Sequence, residues 1–231
     1  MNSTHQQSTS DTDFRAKAED ALRITEIFYS LQGESRNVGL PTVFIRLTGC
    51  PLRCDYCDTA YAFTGGEWME IESIIDEVKK YNTSHITVTG GEPLSQKNCI
   101  GLLEQLCNLG YEVTLETSGA VAVDEVDKRV VKVLDIKTPA SGEESKNRFE
   151  NLSFLTADDQ IKFVICDEND YLWAKNKIEE YHISDHEIIF SPVLSLLEPE
   201  KLAEWIVKDR LNVRLQIQMH KYIWDPDKRG V

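Results

Sequence analysis

The sequence predicts an α/β domain arranged as an open or partial barrel of about six strand and helix units. Short runs rich in β-branched and aromatic residues alternate with amphipathic stretches of helical period. Several of the strand runs close on polar or glycine-containing residues, "TGGEP", "ETSG", "DIKT", "SPV" and "QMHK", and the carboxyl ends of parallel strands are where α/β folds assemble their sites. The 231 residues fall short of the roughly 250 of a full eight-unit barrel.

The elements follow in chain order. Residues 1 to about 20 are rich in Ser, Thr, Gln and Asp and predict a mobile tail, so the fold begins near Leu22 and residues 21–231 form one domain. "TVFIRLTG" (42–49) predicts a strand, "IESIIDEVKKY" (71–81) a helix, "HITVTG" (85–90) a strand and "NCIGLLEQLCNLG" (98–110) a helix. Three strands come next, "EVTLETSG" (112–119), "VVKVLDIKT" (130–138) and "QIKFVI" (160–165). The helix "DYLWAKNKIEEYH" (170–182), the strand "EIIFSPV" (187–193), the helix "PEKLAEWIVKD" (199–209) and the strand "VRLQIQMHKY" (213–222) complete the pattern. Repeated strand and helix units argue for a parallel sheet.

An apolar content of 41% supports a well-buried core. The net charge of −14 disfavours a polyanionic partner such as nucleic acid. No apolar run reaches the roughly 18 residues of a membrane span. The polar N-terminus has no apolar signal-peptide core. The expected compartment is the cytoplasm, where thiols stay reduced and cysteines are read first as free, metal-bound or catalytic.

Cys50, Cys54 and Cys57 form C-x3-C-x2-C directly after a predicted strand. A closed structural zinc site takes four ligands, commonly from two hooks, and no second CxxC occurs in the chain. Three thiolates on a four-iron cluster leave one iron open, and an open iron can chelate S-adenosylmethionine for one-electron cleavage. Cys99, Cys107 and Cys166 fall within apolar patterns and read as buried structural thiols. Gly90 and Gly91, in "TVTGGEP" at residues 87–93, end a strand where the lack of a side chain allows close approach of a ligand.

The cysteine motif together with the GGEP motif closely resembles the radical S-adenosylmethionine superfamily, which implies a partial (β/α)6 barrel, a 4Fe-4S cluster and S-adenosylmethionine. Four further segments, "FYSLQGES", "FIRLTGC", "CDT" and "QIQMHKYIWDPDKRGV", resemble the 7-carboxy-7-deazaguanine synthase family. That resemblance implies ring contraction of 6-carboxy-5,6,7,8-tetrahydropterin with loss of ammonia, giving a 7-deazapurine precursor of queuosine-type compounds. It also implies Mg2+ and a one-electron donor such as flavodoxin. Small enzymes of this sort are often homodimers.

Matched position by position, the resemblance assigns Leu31, Gln32, Gly33, Glu34, Arg46, Thr89 and His220 to the substrate, with Gln218 beside His220. The amide of Gln32 and the carboxylate of Glu34 suit the donor and acceptor edge of a pterin. The Arg46 guanidinium suits a carboxylate. Thr59 matches a magnesium ligand. Tyr56, Cys57 and Asp58 match an adenine-contacting segment, Gly91 and Glu92 a methionine contact, and Glu116, Thr117 and Ser118 the ribose or methionine portion. Asp135, Ile136 and Lys137 stand where the family more often has Ser-Pro-Lys, and Ser191, Pro192, Val193 and Leu194 where Gln-Pro is common. Both segments are assigned to S-adenosylmethionine. Ser35 replaces the usual glycine of the QGEG loop, and the tail to Val231 is expected to fold back over the pocket. A glycyl-radical-enzyme activase competes, because it shares the cysteine motif, GGEP and often "DIK", but it requires none of "LQGES", "CDT" or "QMHKYIWD". A non-catalytic metal-binding module would explain the cysteines and leave the polar strand ends unexplained.

Overall fold

The computed structural model describes residues 20–225 and 228–231. Apart from Asp20, the tail expected over residues 1 to about 20 lies outside them.

Nine strands form one sheet in the order β3-β1-β2-β4-β5-β6-β7-β8-β9. They are β1 (Ala21–Leu31), β2 (Pro41–Leu47), β3 (Glu67–Glu70), β4 (His85–Gly90), β5 (Glu112–Thr117), β6 (Val131–Ile136), β7 (Gln160–Ile165), β8 (Glu187–Pro192) and β9 (Arg214–Leu215). From β2 to β9 every neighbouring pair is parallel. β1 runs antiparallel to both β2 and β3. The two edge strands do not pair with each other, so the barrel stays open.

Helices α1 (Ile71–Lys79), α2 (Cys99–Asn108), α3 (Glu168–Glu180) and α4 (Pro199–Asp209) cover one face of the sheet. α1 buries Ile71, Ile74, Ile75 and Val78, the i, i+3, i+4, i+7 stripe that places one helical face against a core. α2 does the same with Cys99, Leu102, Leu103 and Leu106. Full burial of such side chains stabilises by about 1.5–3 kcal/mol each. Between β6 and β7 three short 3-10 helices take the place of an α-helix.

Period-2 alternation then decides which residues reach the open interior. On β6, Val133 and Asp135 face the cavity, whereas Lys132, Leu134 and Ile136 are buried elsewhere. Lys132 pairs with Asp159 at 2.9 Å, both side chains almost fully buried.

Two sequence expectations need correction. The run 213–222 is not one strand: β9 holds only Arg214–Leu215, and His220 opens a short helix, α5 (His220–Ile223). The last bond to β8 is Gln216 N to Phe190 O; beyond it the chain's polar groups turn to the loop after β1, the Gln216 side chain to the Ser35 backbone and Met219 N to Gly33 O. The long first strand is the second difference: its apolar–polar alternation runs only from Leu22 to Thr25 and loses its period at the bulge between Ile24 and Glu26, too short a signal to mark an eleven-residue strand.

Candidate active site

A cavity of about 900 Å³ opens at the carboxyl ends of the parallel strands. The cluster loop forms one end of it. Cys50, Cys54 and Cys57 are free, half-buried thiols on its wall. Burial pushes the Cys50 thiol up, and Cys54 to about 11. Backbone contacts hold the loop: Cys57 N donates to Cys54 O, Asp55 N to Ser141 O, and Leu52 N to the Cys50 sulfur at 3.4 Å. The Arg53 guanidinium caps Cys50 O and Leu52 O while stacking on Phe63. Among the described residues no three His, Cys, Asp or Glu side chains converge on the position of a single ion.

The wall beside the thiols is built for close contact. A Cβ added at Gly91 would meet Cys50 Cβ at 2.8 Å and collide with the Gly49 carbonyl. Asp135 pairs with Lys137 through Oδ2 at 3.1 Å, which leaves its buried Oδ1 without a partner. A buried acceptor left open costs free energy unless a ligand supplies the donor. Free thiols, glycine backbone and an open acceptor together fit a thiolate-held cluster with a hydroxyl-bearing cofactor beside it.

The other end of the cavity carries charge that is already paired. Glu26 on β1 stands directly across from Arg46 on β2 at a β-bulge, the kind of irregularity that re-aims a side chain. Glu26 Oε1 accepts from Arg46 Nε and from Tyr61 Oη, each at 2.7 Å. The guanidinium lies 5.9 Å from the ring centres of both Phe28 and Tyr61. Glu34 accepts from Lys162 Nζ and, through Oε1, from Gln218 Nε2 at 2.6 Å. Burial works against the Glu34 charge, yet Lys162 and Gln218 hold its carboxyl below the usual range. Glu116 shows the reverse: burial and the nearby Glu34 charge raise it, although Thr89 Oγ1 donates to Oε2 at 2.9 Å. Burial also pushes the His220 imidazole down.

Gly33 is what lets His220 approach, since a Cβ there would collide with the imidazole Nδ1. Lys221 Nζ donates to Asp58 Oδ2 at 2.6 Å and so ties α5 to the cluster loop. That contact holds the Asp58 carboxyl well below its ordinary range, against the opposing effect of burial.

Comparison with known proteins converges on one family. Residues 44–137 match the radical SAM superfamily. The chain is 48% identical over 217 residues to the 7-carboxy-7-deazaguanine synthase of Chlorobaculum tepidum, covering 92% of this chain and 99% of that one. It is 42% identical to the synthase of Koribacter versatilis, covering 91% and 100%. The chain belongs to the 7-carboxy-7-deazaguanine synthase family. The crystal structure of QueE from Escherichia coli superposes with a TM-score of 0.71 over 93% of this chain and 100% of that one, at 24% identity, and shows the same fold. SuiB from Streptococcus suis, in complex with its precursor peptide SuiA, shares the fold more distantly, with a TM-score of 0.53 at 14% identity over 74% of this chain and 46% of its own. Nothing found supports the activase alternative.

The cavity gathers most of the residues that the motifs single out. The cavity brings together Leu31, Gln32, Gly33, Glu34, Arg46, Thr89 and His220 with the three cysteines, Tyr56, Asp58 and Thr59. Gly91, Glu116, Ser118, Asp135, Lys137 and Ser191 to Leu194 also line it. Two assigned residues stand apart from the wall. Ile136 points into the apolar core behind β6. Glu92 is fully buried, and its carboxylate accepts from Leu94 N, Thr117 Oγ1 and the Ser118 amide and hydroxyl, which locks the GGEP turn to the end of β5. Lys162, Tyr61, Lys221 and residues 228–231 line the cavity without having been singled out for it by the motifs, apart from the expected fold-back of the tail. Strand alternation in "QIKFVI" marks Lys162 as the charge opposite in parity to Ile161, Phe163 and Ile165, a signal the sequence does contain.

Proposed function

We propose that this chain converts 6-carboxy-5,6,7,8-tetrahydropterin to 7-carboxy-7-deazaguanine by a radical ring contraction with loss of ammonia: the product is the one its relatives' shared name states, and the substrate and reaction are those the sequence resemblance implies. The observation that carries the reading is a single cavity with three free thiols at one end and a paired set of charges at the other.

Cys50, Cys54 and Cys57 would hold a 4Fe-4S cluster through three irons, with S-adenosylmethionine at the fourth. Together these groups supply one-electron reductive cleavage and, through it, hydrogen abstraction at carbon. Every other task falls to the protein. Gly91, Ser118, Asp135, Lys137 and the Ser191 to Leu194 segment would contact the cofactor, the open Asp135 Oδ1 accepting from a hydroxyl. Arg46, with Nε fixed by Glu26 and flanked by two aromatic rings, presents its remaining N–H groups to the substrate carboxylate. Gln32 and Glu34 would read the heterocycle edge. His220, kept neutral by burial, can donate and accept at once. Glu116, raised by burial, is the carboxyl on this wall suited to give a proton to departing ammonia. Phe28, Phe44, Phe63, Val133 and Val164 exclude water around the reacting carbon.

Thr59 would add a ligand to magnesium, whose other oxygens come from substrate and water. A one-electron donor of flavodoxin type, a homodimeric assembly, cytoplasmic location and one domain over residues 21–231 preceded by a tail belong to the same proposal. The test is anaerobic. Reconstituted protein with reductant, S-adenosylmethionine, magnesium and 6-carboxytetrahydropterin should give the ring-contracted acid by mass spectrometry, and none when magnesium or the pterin is left out. Formation of 5'-deoxyadenosine without that acid would overturn the substrate and keep the radical chemistry.

A further inference from the structure

Lys162 and Glu34 form an ion pair on the cavity wall with both side chains largely buried, 14% and 15% exposed. Lys162 stands opposite Asp135 in the sheet register. Burying such a pair is weak evidence for stability, because desolvating two charges offsets most of their attraction. The backbone pairing of β7 with β6 and β8 does not depend on the ammonium. Neither is the pair placed for the substrate carboxylate, since that role suits Arg46 with its aromatic flanks. What the pair offers the cavity is a carboxylate acceptor beside an ammonium donor, in fixed order.

On the reading given under Proposed function, we infer that Lys162 is a specificity-determining residue which, together with Glu34, reads the 2-amino-4-oxo edge of the bicyclic heterocycle. That edge presents two donors, N2–H and N3–H, followed by one acceptor, O4. Glu34 takes the donors and Lys162 gives to O4. Gln218, donating to Glu34 Oε1 at 2.6 Å, fixes the carboxylate plane for this contact. In a 4-amino analogue N3 becomes an acceptor and position 4 becomes a donor, so two of the three contacts invert. A site that hydrogen-bonds one pattern rejects the other because its buried groups are left unpaired.

The test is equilibrium dialysis of the cluster-reconstituted protein with S-adenosylmethionine against two oxidised, non-reacting ligands, pterin-6-carboxylic acid and 2,4-diaminopteridine-6-carboxylic acid. Wild type should prefer the 4-oxo ligand by about 100-fold or more. Lys162→Met removes one of the two inverted contacts and should lower that preference about tenfold. Lys162→Gln, whose amide can turn either its carbonyl or its NH2 inward, should lower it similarly and serves if the Met variant does not load iron. Lys162→Arg keeps a donor and should retain the preference. If both ligands weaken equally in the Met and Gln variants, with the ratio unchanged, Lys162 is structural and the inference falls alone. If wild type binds neither ligand, the substrate reading falls and takes the inference with it.

Discussion

The two ends of the cavity solve opposite problems. At the heterocycle end the charges just described are paired within the chain: Arg46 with Glu26, and Glu34 with Lys162 and Gln218. At the cluster end the three thiols stand free, and around them the loop is held by its backbone, by Arg53 and by the Asp58–Lys221 contact. One end is therefore preorganised before any ligand arrives, in the sense that its donors and acceptors cost little further reorganisation on binding. The other becomes a site only when a group supplied from outside takes up its thiols. Loss of one side chain should accordingly mean different things at the two ends.

The largest effect belongs to the cluster end. Cys57→Ala should abolish turnover and remove most of the iron and the cluster's visible absorbance, while leaving the secondary structure by circular dichroism intact. The assembly itself should depend on pH in a defined direction. Cys54 sits at about 11 and Cys50 is raised as well, both by burial, so the apoprotein holds protons that binding must release. Iron loading at fixed time should rise with pH from about 7 to about 9. A variant lacking Cys57 that keeps full iron, or loading that does not change with pH, would sink the contrast drawn above.

Arg46→Ala sharpens the comparison from the other side. It removes the guanidinium and leaves Glu26 with Tyr61 alone, so kcat/KM for the carboxylated substrate should fall about 100-fold, mostly through KM. Glu26→Gln keeps an acceptor for Nε but not the charge, and should cost about tenfold. Iron content and absorbance should stay at the wild-type level in both. Steady-state kinetics beside an iron assay reads this directly, and loss of iron in Arg46→Ala would mean that the ends are not independent.

How much of this was legible beforehand follows the same divide. The cluster end is local in sequence, three cysteines within eight positions and GGEP at the next strand end, so spacing and residue type suffice to name it. The heterocycle end is assembled from β1, β2, β7 and the segment after β9, up to 184 residues apart for Gln218 and Glu34. A lysine in "QIKFVI" or a glutamate in "ITEIF" states its parity in a strand but not its partner. The same limit explains His220: its place is set by Gly33 and by the Met219 to Gly33 hydrogen bond across the barrel mouth, which no run of ten residues encodes. Glu92 shows the converse, because a motif glutamate at a strand end reads as ligand-facing while its carboxylate here is taken up by Thr117 and Ser118, off the cavity wall.

The smallest expected effect lies where the chain departs from the family's QGEG loop. Ser35 adopts a φ of 61°, the left-handed region that favours glycine, and it is buried. The strain is held by two bonds that do not involve its side chain: Ser35 N donates to Gln216 Oε1 at 2.6 Å, and Gln216 Nε2 donates back to Ser35 O at 2.9 Å. Its own hydroxyl is buried without a partner. Ser35→Gly relieves both the backbone strain and the unpaired hydroxyl, gains that the extra freedom of glycine in the unfolded chain offsets in part. Chemical denaturation should therefore place the variant within about 1 kcal/mol of wild type, on the stable side, with kcat/KM unchanged. Gln216→Ala removes the clasp instead of the strain and should destabilise the loop, raising KM through the adjacent Glu34. A Ser35→Gly variant that loses activity would show that the hydroxyl serves the cavity, and that the preorganisation of this end extends one residue further than its charges do.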